Sequence, residues 1–103
     1  MIEVKARRRK TGWKISVEGH AGAGEKGHDL ICAAASMLVQ GLAYHLRKQK
    51  DTGLYTEMKD GKAEVFCSPE ADAAVAAILD AFELLEKNYP ENVKVVQRTE
   101  GNT

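Results

Sequence analysis

The run Trp13-Lys14-Ile15-Ser16-Val17-Glu18-Gly19-His20-Ala21-Gly22-Ala23-Gly24-Glu25-Lys26-Gly27-His28-Asp29-Leu30-Ile31-Cys32-Ala33-Ala34-Ala35-Ser36 changes its period halfway through. Trp13, Ile15 and Val17 alternate with Lys14, Ser16 and Glu18, the period of a half-buried strand. Beyond the glycine-punctuated segment, Ile31, Ala34 or Ala35, Leu38, Leu42 and Leu46 recur at helical spacing. One short stretch thus delivers a strand into a helix.

Working outward, Ile2, Val4 and Ala6 alternate with Glu3, Lys5 and Arg7, and Lys10-Thr11-Gly12 supplies the turn of a first hairpin. Its tip, Arg7-Arg8-Arg9-Lys10, reads as a solvated basic turn. The first helix ends in Arg47-Lys48-Gln49-Lys50, basic residues that suit its C-terminal dipole end. Gly41 inside it implies close packing against another element. Leu54 to Lys59 and Lys62 to Cys67 flank Asp60-Gly61, a second hairpin. Ser68 is the expected N-cap and Pro69 the first residue of a second helix, with Val75, Ile78, Leu79, Phe82 and Leu85 as its buried stripe. Pro90 breaks it, Val93, Val95 and Val96 form a last strand, and residues 100–103 should fray. The order is ββαββαβ, an α+β two-layer sandwich of one β-sheet with two helices. Residues 1–103 form a single domain.

With 15 basic and 15 acidic residues the formal net charge is zero, so no global field attracts nucleic acid or membrane. The apolar runs are expected to stop well short of a membrane span, and no signal-peptide block opens the chain. A soluble, intracellular protein is expected. Cys32 and Cys67 do not make a disulfide framework. Cys67 shares parity with Ala63 and Val65 and reads as a core thiol, which leaves Cys32 in chemically interesting company.

His20 lies on the strand face opposite Trp13, Ile15 and Val17, so it points to the surface or a cleft. Asp29 is a good N-cap, which would set Cys32 at the third helical position among unpaired backbone N–H groups. A helix N-terminus near an imidazole favours thiolate, and His20 could take the thiol proton and return it to a leaving amine. Backbone N–H groups around Cys32 or in the glycine loop could hold an oxyanion. The alternative is that Cys32 simply packs. His28 reads as a loop residue. A metal site from His20, His28, Asp29 and Cys32 matches no common zinc spacing, and no cofactor is expected. Gly22, Gly24 and Gly27 lack the arrangement of a phosphate-binding loop and read as a mobile lid over a bound peptide.

Gly19-His20-Ala21, Gly24, Gly27, Asp29 and Cys32-Ala33-Ala34, with Ser36 following, resemble the ribosomal-processing cysteine proteases called Prp. The resemblance implies a cytoplasmic bacterial endopeptidase that acts as a homodimer. It also implies a substrate, the short N-terminal extension of a large-subunit ribosomal protein, cut after a bulky apolar residue that is commonly phenylalanine. By position, Cys32 would be the nucleophile and His20 its base, with Asp29 and Ser36 in supporting roles and the glycine loop ordering around the peptide. No third triad member is evident.

Other readings use the same residues. A phage-derived relative would process a capsid or scaffold protein. A non-catalytic ribosome or RNA-binding module would use Arg7, Arg8, Arg9 and Lys10, although nucleic acid is not expected as a direct ligand. A redox sensor would need a resolving partner for Cys32, which Cys67 does not offer. The protease leads.

Overall fold

The computed structural model describes residues 1–19 and 26–99, with the backbone alone over 26–29. His20, Gly22, Gly24 and the C-terminal residues 100–103 lie outside the described residues. The elements are β1 (Ile2–Arg9), β2 (Gly12–Gly19), α1 (Lys26–Arg47), β3 (Tyr55–Lys59), β4 (Lys62–Cys67), α2 (Asp72–Asn88) and β5 (Val93–Thr99), in the expected ββαββαβ order. They build one five-stranded mixed sheet, β3-β4-β2-β1-β5.

Both hairpins turn at glycines with positive φ, Gly12 at 128° and Gly61 at 75°, where a side chain would be strained. The two helices are crossovers. α1 links β2 to β3 and α2 links β4 to β5, the latter running parallel to β1. The strand pairing sets Ile15 between Ala6 and Val65, and Val17 between Val4 and Ala63. This aligns one apolar face across the sheet, with Ile2, Val4, Ala6, Ile15, Val65 and Val93 buried on it. Ile31, Ala35, Val39, Leu42 and Leu46 of α1 and Val75, Leu79 and Phe82 of α2 complete the same core cluster. Each of the valine, leucine, isoleucine and phenylalanine side chains among them, fully buried, contributes about 1.5–3 kcal/mol of transfer free energy.

The hairpin tip is fastened to the start of α2. Asp72 accepts hydrogen bonds from Arg8 Nε at 2.7 Å and from the Trp13 indole N–H at 2.6 Å. The Arg8 contact, then the Trp13 contact, hold the Asp72 carboxyl below its ordinary range against the opposing effect of desolvation. At the far edge, Arg98 bridges to Asp80 at 2.8 Å and Glu83 at 3.0 Å, tying β5 to α2.

Several expectations are corrected. α1 starts at Lys26, so Asp29 is its fourth residue and not its N-cap, and Gly27 and His28 are helical and not loop. No proline interrupts Lys26 to Asp29, and an acid in the first turn suits the dipole, so nothing forces the helix to wait for Asp29. A Cβ on Gly41 would meet nothing within 4 Å, so this glycine is not packed against another element of the chain. Ser68 stands at an N-cap position but makes no side-chain cap bond, and its hydroxyl donates instead to the Asp51 carbonyl at 3.1 Å. Pro69 opens a short 3-10 turn, Pro69–Ala71, before α2. Finally, Leu30–Arg47 is long and apolar enough to pass for a membrane span, contrary to the expectation of short runs. Part of that apolarity is the core face named above, and Leu30, Met37 and Tyr44 lie exposed on the other side.

Candidate active site

Cys32 is half-buried on α1, and neither it nor Cys67 is in a disulfide. It is the seventh residue of the helix, not the third. The orphan N–H groups of a helix belong to its first turn, here Lys26 to Asp29. They do not gather around Cys32.

Cys32 lines a groove of about 930 Å³ between α1 and the β3–β4 hairpin. Ile2, Val17, Ala35, Val39, Ala43 and Ala63 give it apolar walls, and Arg47, Lys59, Asp60 and Lys62 give it charged ones. Ser36 stands one turn beyond the thiol in the same groove, and its hydroxyl accepts a hydrogen bond from Gln40 Nε2 at 2.6 Å. Gln40, Met37, Tyr44, Thr56 and Met58 also line the groove and were not singled out by sequence reasoning. For Gln40 a signal existed, since Cys32, Ser36 and Gln40 follow i, i+4 spacing along one helix face. For Thr56 and Met58 none did, because they arrive through long-range pairing of the second hairpin.

The strand that leads to His20 reaches the same groove. Gly19 lines it, at φ 106°, and its N–H donates to the Gly61 carbonyl at 2.8 Å. A Cβ on Gly19 would lie 2.2 Å from the Met1 carbonyl oxygen. Only glycine fits this close approach. The structure therefore brings the residue before His20 and the Cys32 thiol to one groove, while His20 itself, Gly22, Gly24 and the Asp29 side chain lie outside what is described.

Cys67 behaves differently. It is 4% exposed, on the core face of β4, and burial pushes its thiol up to about 11. This agrees with its reading as a core thiol.

The family model for Cysteine protease Prp matches residues 1–94. The chain belongs to the Prp family of cysteine proteases. The ribosomal processing protease Prp of S. aureus, solved with a covalently linked product peptide, is similar in fold at a TM-score of 0.81 and 24% identity, covering 95% of this chain and 100% of that one. Its structure with a substrate peptide gives a TM-score of 0.79 over the same shares, also at 24% identity. SMU.848 from Streptococcus mutans matches at 29% identity and a TM-score of 0.76, covering 97% of this chain and 96% of that one. No curated protein matches. Membership in the Prp family makes this chain a peptidase with a cysteine nucleophile.

Proposed function

We propose that this protein is a processing endopeptidase in which Cys32 attacks the scissile carbonyl and His20 moves the proton. The observation that carries the reading is the shared groove: Gly19, the residue before His20, and Cys32 both line it. His20 takes the proton from Cys32 Sγ as the thiolate adds to the carbonyl and delivers it to the leaving amine, and water then hydrolyses the thioester. Because Cys32 lies beyond the first turn of α1, activation falls mainly on His20. The oxyanion then falls to N–H groups of the glycine loop. Asp29 and Ser36 support the site, Ser36 through its place one turn from the thiol.

The proposed substrate is the N-terminal extension of a large-subunit ribosomal protein, in keeping with what the S. aureus relative is called and with its solved peptide complexes. The apolar walls suit a bulky apolar residue before the cut. We also propose cytoplasmic action as a homodimer. Leu30, Met37 and Tyr44 are 75%, 67% and 64% exposed at seven-residue spacing on α1, and Gly41 beside them meets open space, so a second copy could cover this face.

The test is cleavage of peptides that span such an extension, followed by mass spectrometry. Cys32→Ala and His20→Ala should each lower cleavage by about 10³-fold or more while the thermal melt is unchanged. Full cleavage by folded Cys32→Ala would remove the reading.

A further inference from the structure

We propose that the end of the sheet opposite Cys32 is a binding site for single-stranded RNA. A second cleft, of about 430 Å³, opens there, lined by Arg7, Arg9, Lys14, Thr11, Ser68 and Phe66 among others. Among the described residues no carboxylate lines it. Arg7 and Arg9 are exposed and, among the described residues, neither they nor Lys10 join an ion pair. Lys14 has a bridge to Glu64 at 3.5 Å, and Arg8 is committed to Asp72. Among the described residues at this end of the sheet, Arg7 and Arg9 in the cleft and Lys10 beside it are the cations outside any ion pair.

The basic tip alone reads as a solvated turn. Sheet register changes that reading by placing two aromatic rings next to it. Tyr55 pairs with Phe66, Phe66 with Lys14, and Lys14 with Arg7, so a ring pair and two cations form one row on the helix-free face. The rings of Tyr55 and Phe66 are 5.7 Å apart at their centroids, and Lys14 Nζ stands 5.7 Å from the Phe66 centroid. Tyr55 is 57% exposed. A cationic cleft that tracks phosphates beside aromatic faces that stack bases is how sequence-tolerant single-strand binders work. An acidic peptide would use the arginines and leave the rings idle.

Ile2 pairs with Gly19 at the groove and Arg9 with Gly12 at the cleft, at opposite ends of the eight-residue β1. At about 3.3 Å per residue the two sites are some 23 Å apart and can be filled together. RNA binding does not depend on the thiol, so it stands or falls apart from the proposed protease substrate.

The test is fluorescence anisotropy of a labelled 12-nucleotide oligo(U) RNA with the full chain at 50 and 200 mM salt. Arg7→Gln with Arg9→Gln should weaken binding at least tenfold and lower the salt slope by about 1.4, the share of two single-strand phosphates. Tyr55→Ala with Phe66→Leu should weaken it about tenfold with the slope kept. Thermal melts confirm that each variant folds, and Cys32→Ala should bind RNA like the parent. Absence of binding at 50 mM salt overturns the proposal. So does binding indifferent to the arginine pair. Equal binding of a polyglutamate peptide, with RNA affinity untouched by the ring substitutions, also overturns it and marks a site for acidic protein.

Discussion

The two ends of β2 are built alike and behave differently. Each ends in a glycine whose added Cβ would strike a backbone carbonyl: Gly19 at 2.2 Å from Met1 O, Gly12 at 2.0 Å from Cys67 O. Each lies near a cysteine, Cys32 through the groove it shares with Gly19 and Cys67 through its pairing beside Gly12. Yet Cys32 opens into a groove of about 930 Å³, whereas Cys67 is covered by the core with its thiol pushed up to about 11. What separates the two thiols is cover. A strand residue on the apolar face is sealed within the core, while a helix residue at the margin of that face opens into the groove.

The sharpest way to test this pairing is to add a methyl at each glycine. Gly12→Ala has backbone on both sides of the clash and a φ of 128°, so it should cost about 3 kcal/mol and lower Tm by roughly 10 °C or more. Gly19→Ala sets its Cβ 2.2 Å from the Met1 carbonyl oxygen at a φ of 106°, so it too should cost stability, and unlike Gly12→Ala it should also lower cleavage per folded molecule, since it precedes His20. Thermal melts beside peptide cleavage separate the two. Equal effects on both readouts would break the comparison.

Next comes Cys67→Ser, which buries a hydroxyl in an apolar site and should cost about 1–3 kcal/mol in denaturant titration, with cleavage per folded molecule kept. The parent protein carries a further signature. The Cys67 thiol goes from 9.0 unfolded to about 11 folded, so the folded state holds the proton longer. Stability should be intact below pH 9 and fall as pH rises toward 11, and Cys67→Ser should flatten that limb.

The smallest effect concerns Asp72, whose carboxyl is lowered by Arg8 and Trp13. A depressed carboxyl stabilises the fold above its unfolded value of 3.8, and the contribution is lost as pH falls through the lower folded value. Asp72→Asn should cost less than about 1 kcal/mol at neutral pH, because the pair is solvent-screened. It should also soften the acid limb in a melt series from pH 5 to 2.

The strands and both helices were legible because one sheet face and one helix stripe each must be apolar: Ile15 and Val17, Leu42 and Leu46 obey that directly. The start of α1 was not, since Asp29 is as favourable in a first turn as at a cap. Nor was the role of Gly41, where low helix propensity pointed to packing that the chain does not supply. Of the site, Cys32 was visible as a thiol close in sequence to a histidine, and Ser36 only through the resemblance to the Prp pattern. The opposite wall was not, because Thr56, Met58 and Gly61 reach the groove only through the pairing of β4 with β2. Local periodicity carries no record of such pairing. The Tyr55–Phe66–Lys14–Arg7 row was hidden for the same reason.

The most direct test is alkylation with iodoacetamide, read by mass spectrometry at each cysteine while peptide cleavage is followed in the same sample. We expect Cys32 to be labelled while Cys67 stays unmodified, cleavage to fall in step with Cys32 labelling, and His20→Ala to slow that labelling strongly. Labelling of Cys32 that leaves cleavage intact, or that proceeds at the same rate without His20, would contradict the dyad.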